Sequence, residues 1–237
     1  MKKAHYRIGM LIFILGGGAL LAGIYHYDLI RIEAVDCRAD HGEFSIPVDD
    51  YVKEHIGTSI LDYPSASYVD TILFRYPQVS RASVNLNPSG KVVFDYDLKQ
   101  PIALISLDIV YGLTARGELV PAQEGDLPII TGLKIKHVKL YEQLDESKIG
   151  YALKLANLLN SNITGIENAV SSVNLAHPSG LSAHVKGCRS EFILGRGDEL
   201  KKFRKLGEYL EFFCALGNNI RAVDFRFENQ LILKKDQ

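Results

Sequence analysis

The chain has 237 residues, 47% of them hydrophobic and 23% charged, which suffices for one large or two small packed domains and excludes a disordered chain. Its 27 basic and 28 acidic residues leave a formal net charge of -1, removing the broad attraction on which non-specific nucleic-acid binding depends. The three cysteines, Cys37, Cys188 and Cys214, have no CxxC spacing and are too sparse to hold a small fold together. They read as buried small hydrophobes, with a bridge between Cys188 and Cys214 conceivable in an extracytoplasmic compartment.

From Ile8 to Tyr25 the sequence IGMLIFILGGGALLAGIY is uncharged. At about 1.5 Å per helical residue it approaches the hydrocarbon thickness of a bilayer once flanking residues are added. Lys2, Lys3 and Arg7 precede it, while Asp28, Arg31, Glu33 and Asp36 follow, so the basic excess lies on the N-terminal side. The expectation is a cytoplasmic tail over 1–7, a membrane helix over 8–27 and the rest of the chain outside. A cleaved signal peptide is the competing reading; Ala19 and Ala22 are poorly placed for it and the apolar run is long.

Ile30, Ile32 and Val35 predict a first strand followed by a polar loop from Cys37 to Glu43. Pro47, behind Ser45, opens a predicted helix carrying Val48, Tyr51, Val52, His55 and Ile56 up to Gly57; His55 there reads as a packed or half-exposed side chain rather than a ligand. A second helix is expected from Ser65 to Arg75, with Tyr68, Val69, Ile72 and Leu73 as one apolar stripe, ending before Pro77. Ala82, Val84 and Leu86, then Val92, Phe94, Tyr96 and Leu98, alternate with polar residues around a turn at Pro88-Ser89-Gly90, which predicts a hairpin. Two helices covering one face of a small sheet is the implied arrangement.

Beyond Pro101, short strands are expected around Tyr111–Leu113 and Glu118–Val120, turning at Ala115-Arg116-Gly117, followed by Leu127-Pro128-Ile129-Ile130-Thr131-Gly132. Ile149, Ala152, Leu155, Ala156 and Leu159 share one face of a helix predicted from Ser147 to Leu159. Strands are then expected at Val170–Leu175, Leu181–Val185 and Glu191–Leu194. A last helix opens at Asp198 and Glu199 and is expected to bury Leu200, Phe203, Leu206, Leu210 and Phe213, with Lys201, Lys202, Arg204 and Lys205 as solvated surface. The chain ends in a predicted hairpin, Ile220–Phe227 against Gln230–Lys234.

Signals for catalysis and cofactors are weak. Gly195-Arg196-Gly197 lies between a strand and a helix, but the third glycine of GxGxxG would fall at Leu200, and Asp198 and Glu199 would repel a phosphate. The seven histidines form no HExxH and no pairing with cysteine at zinc spacing, and neither GxSxG nor SxxK occurs. No enzyme activity, cofactor, metal or small-molecule substrate is therefore expected.

The strand, helix, helix, strand, strand order resembles a POTRA domain over 28–101, through Tyr76-Pro77-Gln78-Val79, the hairpin after it and the exit Lys99-Gln100-Pro101-Ile102-Ala103. The stretch 102–237 resembles the β domain of the FtsQ/DivIB family of cell division proteins, most specifically in Phe192–Leu200 and Val223-Asp224-Phe225-Arg226-Phe227. The resemblance implies an α+β protein: one membrane helix, a POTRA domain, then an antiparallel β domain with two helices. It implies a non-catalytic scaffold in the inner membrane at the septum, periplasmic beyond the anchor. FtsB would add a strand to its C-terminal edge, FtsL would bind through FtsB, and the septal peptidoglycan synthase complex would follow. Carried over by position, the partner surface would be Arg226, Phe227, Asn229, Gln230, Leu231, Ile232, Leu233, Lys234 and Lys235. Phe227 stands where the family commonly has tyrosine, Lys235 where some members have tryptophan, and the chain has no Trp. Two other readings are a POTRA-containing module for outer-membrane protein assembly or secretion, disfavoured by the lack of repeated POTRA units, and a membrane-tethered periplasmic hydrolase, which would need a pocket of converging titratable groups.

Overall fold

Strand pairing in the chain follows from where polar and apolar residues alternate and from which helices interrupt them. A computed structural model describes residues 30–39, 53–123, 125–161, 166, 168–215, 220–228 and 230–235. The predicted membrane helix over 8–27 and most of the helix expected after Pro47 lie outside the described residues. Among the described residues, no helix is long and apolar enough to cross a membrane. These residues divide into two compact units, one ending at Leu98 and one beginning at Lys99.

In the first unit, strand β1 (Ala34–Ala39), helix α1 (Ser65–Arg75) and strands β2 (Val79–Asn87) and β3 (Lys91–Leu98) build a three-stranded sheet in the order β1-β3-β2. β2 and β3 form the expected antiparallel hairpin, and β1 runs parallel to β3. β1 does not stop before Cys37, as the polar residues suggested, but continues to Ala39. Asp36 and Arg38 are polar because they lie on an edge strand, where Asp36 pairs with Lys91 of β3 at 3.0 Å. The core holds Ile32, Ile60, Tyr63, Ile72, Val92 and Phe94, with Tyr63 stacked on Tyr68 at 5.2 Å. His55 is half-buried, its Nε2 2.6 Å from the Tyr68 hydroxyl. The stripe on α1 is narrower than its spacing predicts: Ile72 is buried, whereas Leu73 is 39% exposed.

The second unit is a nine-stranded sheet in the order β12-β11-β10-β9-β8-β7-β4-β5-β6. Its strands are β4 (Pro101–Ser106), β5 (Val110–Thr114), β6 (Leu119–Pro121), β7 (Ile129–Thr131), β8 (Val170–His177), β9 (Gly180–Val185), β10 (Glu191–Ile193), β11 (Ile220–Asp224) and β12 (Ile232–Lys235). Helix α2 (Glu146–Leu159) joins β7 to β8, and α3 (Glu199–Glu208) with α4 (Leu210–Ala215) joins β10 to β11. The expected antiparallel sheet is in fact mixed, with β4/β7, β7/β8 and β10/β11 parallel. The helices dictate two of these, since a strand that returns beside its predecessor through a helical crossover must run parallel to it.

Both crossovers step the same way along the sheet from parallel starting strands, so right-handed connections place α2 and α3 on one face. A shared core results: Leu155 and Leu159 of α2, Phe203 and Leu206 of α3 and Phe213 of α4 pack on Val173, Leu181, Phe192 and Val223 of the strands. The last helix breaks at Tyr209, and Leu200, expected inside, is 46% exposed. Cys188 and Cys214 are joined by a disulfide between the segment before β10 and α4.

Candidate functional site

The C-terminal hairpin that the sequence singled out is shorter than expected: β11 stops at Asp224 and β12 starts at Ile232. Among the described residues β12 ends the sheet, pairing with β11 alone, and all four of its residues are exposed. Phe225 N–H donates to the Ile193 carbonyl at 2.8 Å. Main-chain groups alternate sides along a strand, so Val223 also faces β10, while Ala222 and Asp224 face β12. Their partners are Lys234 and Ile232. Leu233, between them, therefore turns its N–H and C=O outward from the sheet.

The opposite edge is closed. β6 has three residues and ends in Pro121, which has no N–H to offer. Tyr141 N–H donates to the Leu119 carbonyl at 2.6 Å, Leu144 N–H to the Gly117 carbonyl at 3.0 Å, and Glu118 bridges Gln143. The chain's own segment thus occupies the β6 rim.

Side chains around the open edge have defined places. Asp224, 1% exposed, accepts hydrogen bonds from the Arg226 guanidinium at 2.7 and 2.9 Å and from the Arg226 main-chain N–H at 3.1 Å. Burial would raise the Asp224 carboxyl, but the Arg226 hydrogen bonds and charge outweigh it and hold it below the usual range. Arg226 also lies over the Phe227 ring, 5.7 Å from its centroid, and Phe227 is 45% exposed instead of completing the core. Leu231 packs partly on the core; Gln230, Ile232, Leu233, Lys234 and Lys235 are exposed, and Asn229 lies outside the described residues. The structure thus gathers Arg226, Phe227 and β12 along one rim, with Leu231 turned partly inward. Replacing Arg226 with Ala strands a buried carboxylate, so the melting temperature of the unit should fall by several degrees, with incomplete recovery in Arg226→Lys, which cannot make the two-pronged contact. A thermal melt of the three proteins checks this.

The lysines of α3, read as solvated surface, do more than that. Lys201 Nζ donates to the Glu228 carboxylate at 2.8 Å, Lys205 Nζ to the Glu228 carbonyl at 3.5 Å and Lys202 Nζ to the Arg196 carbonyl at 3.2 Å. They line a cleft of about 290 Å³ with Arg196, Arg226 and Phe227, and tie the loop before β12 to the helix. Lys201 and Lys205 are four residues apart, one helical face, which was the available signal; Glu228 had none.

Gly195-Arg196-Gly197 also takes on a role. Gly195 has φ +65° and a Cβ there would meet Arg226 Cγ at 2.9 Å, so glycine lets this turn pass beneath the arginine. At the start of α3, the Glu199 carboxylate accepts from Gly197 N–H at 2.9 Å, from Tyr151 Oη at 3.0 Å and from Lys154 Nζ at 3.0 Å. The positive end of the helix thus faces the chain's own anion. Burial works to raise the Glu199 carboxyl, but these hydrogen bonds overcome it and bring the group from 4.5 down to about 2, while burial and Glu199 push Tyr151 up to about 12. The folded unit therefore takes up this proton less readily than the unfolded chain. The carboxylate's contribution is complete above pH 4.5 and vanishes as pH falls through about 2. Since Lys154 is itself 64% exposed, Glu199→Gln should cost on the order of 2 kcal/mol at neutral pH and little at pH 2, measurable by urea unfolding at both pH values.

The chain is similar to the cell division protein FtsQ of Geotalea daltonii, 23% identical over 163 residues that cover 67% of this chain and 59% of that protein. The chain thus spans less than two thirds of the relative it matches. No family model matches it. The likeness supports an FtsQ-like chain.

Proposed function

We propose that this FtsQ-like chain is a non-catalytic scaffold of bacterial cell division, held in the inner membrane by residues 8–27 and acting at the septum from the periplasmic side. Its partner surface is the rim formed by Arg226, Phe227, Asn229 and residues 230–235. An extended segment of FtsB adds to β12 as a further strand, FtsL binds through FtsB, and both are thereby linked to the septal peptidoglycan synthase. Main-chain hydrogen bonds supply the affinity, and Phe227, Ile232 and Leu233 supply side-chain anchors.

The observation that carries this reading is the outward-facing main chain of Leu233 on a sheet whose other rim is covered by its own chain. The disulfide between Cys188 and Cys214 supports the side of the membrane, because such bonds persist in oxidising compartments. The test in cells is depletion, which should produce filaments without constricted septa. Ordinary division in depleted cells would remove the role.

A further inference from the structure

The first unit presents one particular end to the side from which the chain enters it. Ile30, the first described residue, accepts from Ile60 N–H at 3.1 Å; Arg31 bridges Ser59, and Ile32 N–H donates to the Thr58 carbonyl at 3.0 Å. This antiparallel run fixes the direction of the incoming chain, and where it ends the chain coils into a 3-10 turn, Ile60–Asp62, that carries Leu61. β3 is parallel to β1 and starts at the same end, so the turn Asn87–Gly90 lies there as well. Glu33 N–H donates to the Gly90 carbonyl at 2.8 Å, and a Cβ on Gly90 would collide with the Arg31 carbonyl. The turn and the incoming strand are therefore in direct contact.

That end exposes apolar surface. Leu61 is 54% exposed. Leu86 stands opposite Val92, in line with the inward-facing Ala82 and Val84, and is still 40% exposed. Pro88 at the tip of the turn is exposed too.

We infer that this rim, Leu61 with Leu86 and Pro88, seats in the interfacial layer of the membrane that carries the anchor, so that the unit lies against the lipid instead of swinging free. The inference rests on the reading of 8–27 as a membrane span. Only residues 28 and 29 separate that span from Ile30. Extended chain covers at most about 3.6 Å per residue, which puts Ile30 within roughly 11 Å of the hydrocarbon. The headgroup layer itself is about 5–7 Å deep on each side, so a rim at the level of Ile30 is within reach. Leucines and a proline at that depth exchange water for the apolar part of the interface, while the neighbouring Arg31 is suited to lipid phosphates.

The natural absence of tryptophan makes the test direct. Four single-tryptophan proteins of the full chain, Leu61→Trp, Leu86→Trp, Ser80→Trp at the far end of β2, and Phe13→Trp inside the predicted span, are placed in nanodiscs with lipids brominated near the headgroup end or deep in the acyl chain. The expected result is that Leu61→Trp and Leu86→Trp lose most of their emission to the shallow bromines, Phe13→Trp loses it to the deep ones, and Ser80→Trp is unaffected. If Phe13→Trp is quenched while both rim reporters match Ser80→Trp, the seating is overturned and the anchor stands. If Phe13→Trp is not quenched by either lipid, the span is wrong and the inference falls with it.

Discussion

Leu233→Pro should reduce capture of the FtsB segment proposed to add to β12 by about tenfold to a hundredfold while leaving the second unit folded. Proline removes the N–H that faces away from β11 and puts its ring where an added strand would lie. It removes no ladder bond, because Leu233 lies opposite Val223 with both main chains facing away from each other, and the bonds run through Ile232 and Lys234. A lost main-chain hydrogen bond accounts for about 1 kcal/mol, and the displaced strand forfeits its neighbours as well. Ile232→Pro is the informative contrast: its N–H faces β11, so it should lower the melting temperature and release the hairpin. Leu233→Ala keeps the N–H and should weaken binding far less than Leu233→Pro. Titration calorimetry with an extended FtsB peptide, paired with a thermal melt of each protein, separates these outcomes. Equal affinity for Leu233→Pro and the parent protein would move the interface away from β12.

The second large effect concerns the disulfide. Cys188 and Cys214 are 26 residues apart, and closing a loop of that size removes chain entropy from the unfolded state equivalent to about 3.5 kcal/mol. The closed loop contains β10, α3 and most of α4, hence Glu199 with its Gly197 contact and most of the Arg196 cleft. Paired Cys188→Ala and Cys214→Ala replacements, or reduction of the parent protein, should therefore lower the melting temperature of the second unit by roughly 10 °C. Phe213, which packs against Phe192 and Phe225 at 6.1 and 5.5 Å, should gain mobility first, as it lies beside Cys214. Loss of the bridge should also leave β12 less well supported, because Lys201 and Lys205 of α3 hold the loop that leads to it. An unchanged melt after full reduction would mean that the unfolded chain is not constrained by this bond.

How far the sequence could be read depended on whether a residue's partners were local. Helix α1 was legible from Ser65 to Arg75, and α2 showed its buried face residue by residue, because Ile149, Ala152, Leu155, Ala156 and Leu159 repeat at helical spacing. The β2–β3 hairpin was legible because its alternation and its turn coincide. β4 was missed: Pro101-Ile102-Ala103 read as an exit segment, since proline suggests an end and the unbroken apolar run from Ile102 to Ile105 shows no alternation in sequence, although its burial alternates. Strand direction was misread as well, for side-chain patterns are the same in parallel and antiparallel ladders, although the helices before β8 and β11 carried the answer. At the candidate site the edge position of β12 was anticipated from family likeness; the outward turn of Leu233 and the Glu228 contacts arise from register and tertiary packing, which no spacing encodes.

One asymmetry of the large sheet sets a limit on what can be built from it. A scaffold with both margins available would template itself into filaments; here one margin is stoppered by the stretch around Tyr141 and Gln143. On the reading proposed above, a guest strand then has one margin of this sheet to join, that of β12.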